Sequence, residues 1–208
     1  MEDCEECINS KRQIAAGFSA CREAGGLNMK LVFDEPKAFS TFMARYGKFS
    51  GVRNYVVVAG KKADDLNGRA GYWGEKFVLA AQSLGLNTCW VALTFGKGAA
   101  KKFAGLGRGD KLVCAVALGY GKTQGVAHKS RPLDEVVGSK DAPAWFLRGA
   151  EAALLAPTAV NQQKFRFTLA GERAVRAERT GGFYSDIDLG IVKYHFEQGA
   201  GRENFDWE

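Results

Sequence analysis

Leu154-Leu155-Ala156-Pro157-Thr158-Ala159-Val160-Asn161-Gln162-Gln163-Lys164-Phe165-Arg166-Phe167 carries the chain out of a helix and into a strand. The residues before it predict a helix from Trp145 to Leu155, with Ala150, Ala152 and Ala153 in it. Pro157 ends that run, because its ring donates no hydrogen bond and biases Ala156 towards extended geometry. Phe165-Arg166-Phe167-Thr168-Leu169 then alternates as a half-buried strand. Three polar amides, Asn161, Gln162 and Gln163, therefore sit between two core elements. An amide offers donors and an acceptor without charge, which suits the edge of a flat heterocycle such as a flavin or a nucleobase. The plainer reading gives the same amides to the backbone of a tight helix-to-strand loop, where most side-chain bonds go.

Upstream, a helix is expected from Glu6 to Ala16 and a short strand at Met29-Lys30-Leu31-Val32-Phe33, closed by Pro36. Phe39, Phe42, Met43 and Tyr46 fall at helical spacing and predict one helix from Phe39 to Tyr46, ended by Gly47. Tyr55-Val56-Val57-Val58-Ala59 is a continuous run rich in β-branched residues, the pattern of a central strand covered on both faces. The clearest helix spans Tyr72 to Leu84, with Trp73, Phe77, Ala80, Ala81 and Leu84 on one stripe and Gly85 as its left-handed stop. A strand at Thr88–Leu93, a polar helix through Lys101-Lys102-Phe103 and a buried strand at Leu112–Leu118 follow. After the strand at Phe165 comes a last helix, expected to be capped by Asp186 or Asp188 and to run to Gly199.

A chain of 208 residues can bury a full core, as one domain or as two small fused halves. No apolar run reaches the ~18 residues that a bilayer needs, and the acidic start Met1-Glu2-Asp3-Cys4-Glu5-Glu6 is unlike a signal peptide. A cytosolic protein with no membrane partner is expected. Five cysteines at irregular spacing exclude a disulfide framework, and Cys4-x-x-Cys7 has neither a second pair nor a nearby histidine to make a metal site. The net charge of +6 is dispersed among acids, which argues against a nucleic-acid partner.

The glycine-rich loop from Gly119 to Pro132 fails both common nucleotide patterns. Gly121-Lys122-Thr123 has Val116 where a P-loop needs glycine, and Gln124 stands where a dinucleotide fingerprint needs its third glycine. What remains is His128-Lys129-Ser130-Arg131, a cationic cluster able to clasp a monophosphate or to form a solvated basic turn. Lys11-Arg12 is a similar pair. His195 has no ligand-type neighbour at metal spacing, so a packed or surface histidine is expected and no metal site. No hydrolytic triad or carboxylate pair is evident.

Ala156-Pro157-Thr158-Ala159-Val160-Asn161-Gln162-Gln163 resembles the Ala-Pro-Ser-Ala-x-Asn-x-Gln loop of the FMN-dependent nitroreductase family. The run from Gly74 to Trp90 is similar to that family's core helix with its Leu-Gly-Leu-Gly-x-x-Trp ending, and Leu118-Gly119-Tyr120-Gly121 to its Leu-Gly-Tyr-Pro loop. The motif order departs from that of ordinary members, because here the amide loop comes last. Leu27–Phe33 also echoes Asn161–Phe167, and Gly74–Ala81 echoes Gly190–Glu197. The resemblance is therefore to a branch in which one chain carries both halves of the usual dimer, a pseudo-dimer expected to be monomeric. A second departure is that the family's Arg-Arg-Ser-x-Arg is reduced to Lys11-Arg12-Gln13-Ile14-Ala15.

The resemblance implies an α+β fold, a mixed β-sheet flanked by helices, over residues 1–208 with fused halves at about 1–140 and 141–208. It implies FMN, with Pro157, Thr158, Ala159, Asn161, Gln162 and Gln163 forming the loop at the ring and ribityl chain. Trp90, Leu93 and Thr94 would bring backbone N–H groups to the redox-active nitrogen, and His128, Lys129, Arg131, Lys11 and Arg12 would serve the phosphate. NADH or NADPH would give hydride, leave, and be replaced by a nitroaromatic, quinone or similar flat acceptor. The rival implied by the altered phosphate motif is a protein of the same fold that binds flavin or another nucleotide without turnover.

Overall fold

The computed structural model describes residues 5–138 and 141–208, with side chains placed from residue 13 onward. The fold class is α+β, as the resemblance implies, with the strands in two separate sheets flanked by helices. The chain divides into two compact units, Met1–Leu66 with Lys76–Gln124, and Asn67–Glu75 with Gly125–Glu208.

In the first unit β1 (Lys30–Val32), β2 (Asn54–Lys61), β3 (Asn87–Val91) and β4 (Asp110–Gly119) form an antiparallel sheet in the order β1-β2-β4-β3. Every residue of β2 from Tyr55 to Gly60 is buried, which only a strand covered on both faces achieves. On one face Tyr55, Val57, Ala115 and Ala117 pack with Val32, Phe39, Val91 and Phe95. The Tyr55 hydroxyl donates to Glu35 at 2.9 Å, and Glu35 also accepts from the amides of Lys37 and Ala38. Burial, with the Glu35 carboxylate second, pushes the Tyr55 phenol far above its ordinary pKa.

The first helix, α1 (Glu5–Ala24), runs past the expected end at Ala16 because Ile14, Phe18 and Cys21 continue its buried stripe. The expected helix over Phe39–Tyr46 is broken. A 3₁₀ turn at Lys37–Phe39 precedes α2 (Phe42–Tyr46), and extended Thr41 between them caps α2 by accepting from the Ala44 amide. Phe39 is buried, whereas Phe42 and Tyr46 are 79% and 77% exposed, so their helical spacing does not mark one face. The long helix α3 (Leu66–Ser83) starts before the expected Tyr72 and stops as expected, with Gly85 at φ 76° and the Leu86 amide bonded back to Ala81. It is followed in this unit by α4 (Lys97–Phe103).

In the second unit β5 (Phe165–Leu169) pairs antiparallel with β6 (Ala174–Arg179), and β7 (Asp206–Trp207) joins β6 in parallel. The mixed pairing is confined to this sheet. Around it lie α5 (Leu133–Val136), α6 (Ala144–Ala153) and α7 (Ser185–Ala200). Phe146, Phe167 and Phe205 surround Phe196, with ring centroids 5.6, 4.5 and 5.2 Å away. All four are almost fully buried, each contributing about 1.5–3 kcal/mol. Glycine lets α6 and α7 approach closely: a Cβ on Gly149 would stand 2.8 Å from the Phe196 ring, and one on Gly199 2.6 Å from the Ala152 methyl.

The expected aspartate cap of α7 is not formed. Left-handed Tyr184 occupies that position without a side-chain bond, and Asp186 and Asp188 lie within the first turn. His195 packs against the helix segment Asn67–Glu75, with Nε2 2.8 Å from a carboxylate oxygen of buried Glu75. Among the described residues no helix is long and apolar enough to cross a membrane, and no group of three or more His, Cys, Asp and Glu could hold a metal ion. Cys4 and the side chain of Cys7 lie outside the described residues, and Cys21, Cys89 and Cys114 are free thiols.

Candidate functional site

The amide stretch and the cationic cluster meet within the second unit. Gln163 joins them: its Oε1 accepts from the Arg131 backbone amide at 2.8 Å, and its Nε2 donates to Lys129 O at 2.9 Å and to Asn161 Oδ1 at 2.6 Å. Asn161 Nδ2 donates to the same Lys129 carbonyl at 2.9 Å. The direction of every bond is forced, because a backbone N–H can only donate and a carbonyl can only accept. Gln163 is 1% exposed and has no proton or amide oxygen left unpaired, so it clamps the two loops and does not face a ligand. Thr158 Oγ1 accepts from the Gln163 amide at 3.0 Å and closes the turn.

The turn holds an uncommon backbone. Val160, Asn161 and Gln163 have φ of 46°, 55° and 46°, a left-handed geometry that costs a non-glycine residue on the order of 1 kcal/mol or more each. Asp188 of α7 counterbalances this strain. Its carboxylate oxygens accept from the Ala159 amide at 3.0 and 3.2 Å, and Oδ2 also accepts from Gln162 Nε2 at 2.7 Å. Burial pushes the Asp188 carboxyl up from its ordinary pKa, and these two hydrogen bonds pull against that rise. The second proton of Gln162 Nε2 goes to Phe183 O at 2.8 Å, so its amide oxygen, which lies beside the Gly182 backbone, has no hydrogen bond among the described residues.

The other expected residues divide. Lys129 is exposed and its ammonium has no ion pair among the described residues. The Arg131 guanidinium is engaged, Nε with Glu135 at 2.7 Å and Nη1 with Gln163 O at 3.2 Å. His128 Nε2 lies 2.9 Å from Leu154 O, which also accepts from Ser130, so the histidine ties its loop to the end of α6. Pro157 is exposed, and Thr158 and Ala159 are half-buried. Trp90, Leu93 and Thr94 belong to the first unit, Trp90 on β3 opposite Val116 and Leu93 exposed. Lys11 and Arg12 fall on α1, and their side chains lie outside the described residues.

What this surface offers is the remaining N–H and lone pair of exposed Asn161, the free oxygen of Gln162, and the charge of Lys129. That donor set fits the uncharged edge of a heterocycle joined to a monophosphate. Two partners of these residues escaped the sequence reading. Glu135 sits four residues after Arg131, a helical ion-pair spacing visible in the chain. Asp188 lies 26 positions from Gln162 on another element, and no local pattern points to it.

The chain matches the family described as Putative TM nitroreductase over residues 6–200. Among solved structures it is similar to a putative nitroreductase from Thermotoga maritima, with 21% identity, a TM-score of 0.60, and 85% of this chain and 67% of that chain covered. It is also similar to an FMN-dependent nitroreductase from Clostridium difficile, at 16% identity and a TM-score of 0.46 over 62% of this chain and 84% of that one. A putative NADH dehydrogenase/NAD(P)H nitroreductase from Bacteroides thetaiotaomicron shows 20% identity and a TM-score of 0.46, over 58% of this chain and 82% of the other. No curated protein matches.

Proposed function

The chain belongs to the family of putative TM nitroreductases, and from that membership we propose an FMN-dependent NAD(P)H oxidoreductase that reduces nitroaromatic compounds, quinones or similar flat acceptors. The observation that carries the proposal is the clamp of Gln163 on Lys129 O, Arg131 N and Asn161 Oδ1. It ties a half-used amide edge to the loop that carries Lys129, whose ammonium has no ion pair among the described residues, and a flavin ring and its phosphate need these two kinds of group. FMN, when bound, supplies the two-electron chemistry between nicotinamide and acceptor. The protein's part is to orient: Asn161 and Gln162 meet the ring edge, and Lys129 balances the phosphate charge. The donor leaves before the acceptor enters, so the net change is hydride from NADH or NADPH plus a solvent proton to the acceptor. No side chain acts as acid or base.

A visible spectrum of the protein with added FMN tests this. Bound flavin that bleaches with NADH or NADPH without oxygen and regains its bands in air supports the proposal. Flavin that binds but does not bleach with either nicotinamide would leave the non-catalytic rival, and absence of FMN binding would overturn the FMN reading; the engagement of Arg131 by Glu135 bears on the latter because it withdraws one cation from the phosphate. Lys129→Ala should weaken FMN about tenfold and riboflavin little, the value of one charge-assisted bond. Equal weakening of both ligands, measured by fluorescence quenching, would remove Lys129 from the phosphate.

We also propose that the chain works as a monomer carrying both halves of what ordinary relatives assemble from two chains. Both copies of the echo, Leu27–Phe33 and Asn161–Phe167, overlap a strand, β1 at Lys30–Val32 and β5 from Phe165 onward, which supports that reading. Light scattering should give 22.6 kDa in solution. A stable species of twice that mass would contradict it. A cytosolic setting accords with free thiols at Cys21, Cys89 and Cys114.

A further inference from the structure

The aspartates in the first turn of α7 are used differently. Half-buried Asp186 pairs with Arg179 at 3.1 Å, an ordinary surface ion pair. Asp188 is 7% exposed and meets no cation among the described residues, only neutral donors on the Ala159–Gln162 turn. Burying an unpaired carboxylate is costly, and helix formation does not require it here because it does not cap α7. Its bonds go instead to a turn with left-handed Val160 and Asn161, a backbone that persists only where its surroundings fix it.

We propose that Asp188 is a positioning residue that sets the hydrogen-bonding polarity of the flavin site. Together with the Phe183 carbonyl, its carboxylate takes both protons of the Gln162 amide. Gln162 is thereby fixed as a pure acceptor, complementary to a ring N–H such as that between the two carbonyls of the flavin pyrimidine. Gly182 is part of the arrangement: at φ +88° its backbone lies against the Gln162 amide oxygen, where a Cβ would stand 2.9 Å from the amide carbon. Without Asp188 the amide is free to turn and offer N–H in place of oxygen, and the site loses its preference for a donor edge.

The inference rests on the flavin reading above, and the test separates the two. Affinities of the full chain for FMN and for FMN methylated on the ring N–H are measured by fluorescence quenching, below the unfolding temperature of each variant. The unaltered protein should prefer FMN about tenfold, roughly the value of one buried hydrogen bond. Asp188→Ala removes the acceptor from both the Ala159 amide and Gln162 Nε2, so the preference should fall to about twofold or less. A structural role alone would weaken both ligands equally and keep the ratio. Gln162→Leu, which leaves Asp188 its bond to Ala159, should abolish the preference too, and adding Asp188→Ala should change it no further, the non-additivity of two residues acting as one. An unchanged ratio in Asp188→Ala or in Gln162→Leu would overturn this inference alone. Failure of the unaltered protein to bind FMN would overturn the functional reading and this inference with it.

Discussion

Gly190→Ala should destabilise the second unit by about 3 kcal/mol or more. A Cβ at this position in α7 would fall against the carbonyl oxygen of Gly68 and 2.7 Å from the Tyr72 backbone nitrogen. The contact is reciprocal, since a Cβ on Gly71 would fall against Ile187 O and 3.1 Å from Ile191 N. These obstacles are helix backbone, which cannot swing aside as the end of a long side chain can. Relief requires moving α7 away from the segment Asn67–Glu75, and that segment carries the Tyr72–Glu197 hydrogen bond at 2.6 Å and the buried Glu75–His195 pair. A cost of about 3 kcal/mol or more follows, at the upper end for overpacking. For a chain of this length it lowers Tm by about 6–12 °C. Gly17→Ala is the control: among the described residues no atom outside its own helix backbone lies within 4 Å of its added Cβ, and its φ is ordinary, so it should stabilise α1 by about 0.5–1 kcal/mol. Thermal unfolding that places Gly190→Ala within 2 °C or so of the parent would refute the close crossing.

The same glycines show what the sequence made legible. Gly85 stops α3 through a local left-handed cap, and the chain announces that. Gly68 and Gly71 lie inside α3, where local propensity disfavours them, and the reason is a helix more than a hundred positions away. The start of α3 was therefore hidden while its end was plain. β2 could be read from Tyr55–Ala59 because burial on both faces leaves no polar residues in the run. Ala174-Val175-Arg176-Ala177-Glu178-Arg179 is a strand only because β5 and β7 pair with it, and its charges conceal it. At Phe39–Tyr46 helical spacing misled, because Thr41 begins a new helix and turns its aromatics outward. The amide loop stood out by composition, but the division of labour within it did not. That Gln163 is buried as a clamp while Asn161 is exposed follows from left-handed torsions at Val160 and Gln163 that no single-residue preference favours, unlike that of Asn161.

Gln163→Leu should be the most damaging change in the site itself. Leucine fills a similar volume but leaves Arg131 N, Lys129 O and Asn161 Oδ1 without the partner each now has. Lys129 O retains Asn161 Nδ2, so two groups are orphaned, at about 1–3 kcal/mol each. Flavin affinity should fall further than stability, because Asn161 and Lys129 are held in place through Gln163. Gln163→Glu distinguishes lost hydrogen bonds from lost packing. An ionised glutamate would still accept from Arg131 N, but it would face Lys129 O and Asn161 Oδ1 as a third acceptor. Both that repulsion and burial favour the protonated acid, so its folded pKa must lie above the unfolded value of about 4.3. Stability from a raised pKa is fully present below the unfolded pKa and is lost as pH rises through the folded one. Gln163→Glu should therefore approach the parent Tm near pH 4 and fall away from it towards pH 8, while the deficit of Gln163→Leu stays the same across that range. A Gln163→Glu deficit that does not grow with pH would mean that the amide's place in the clamp is one of volume alone.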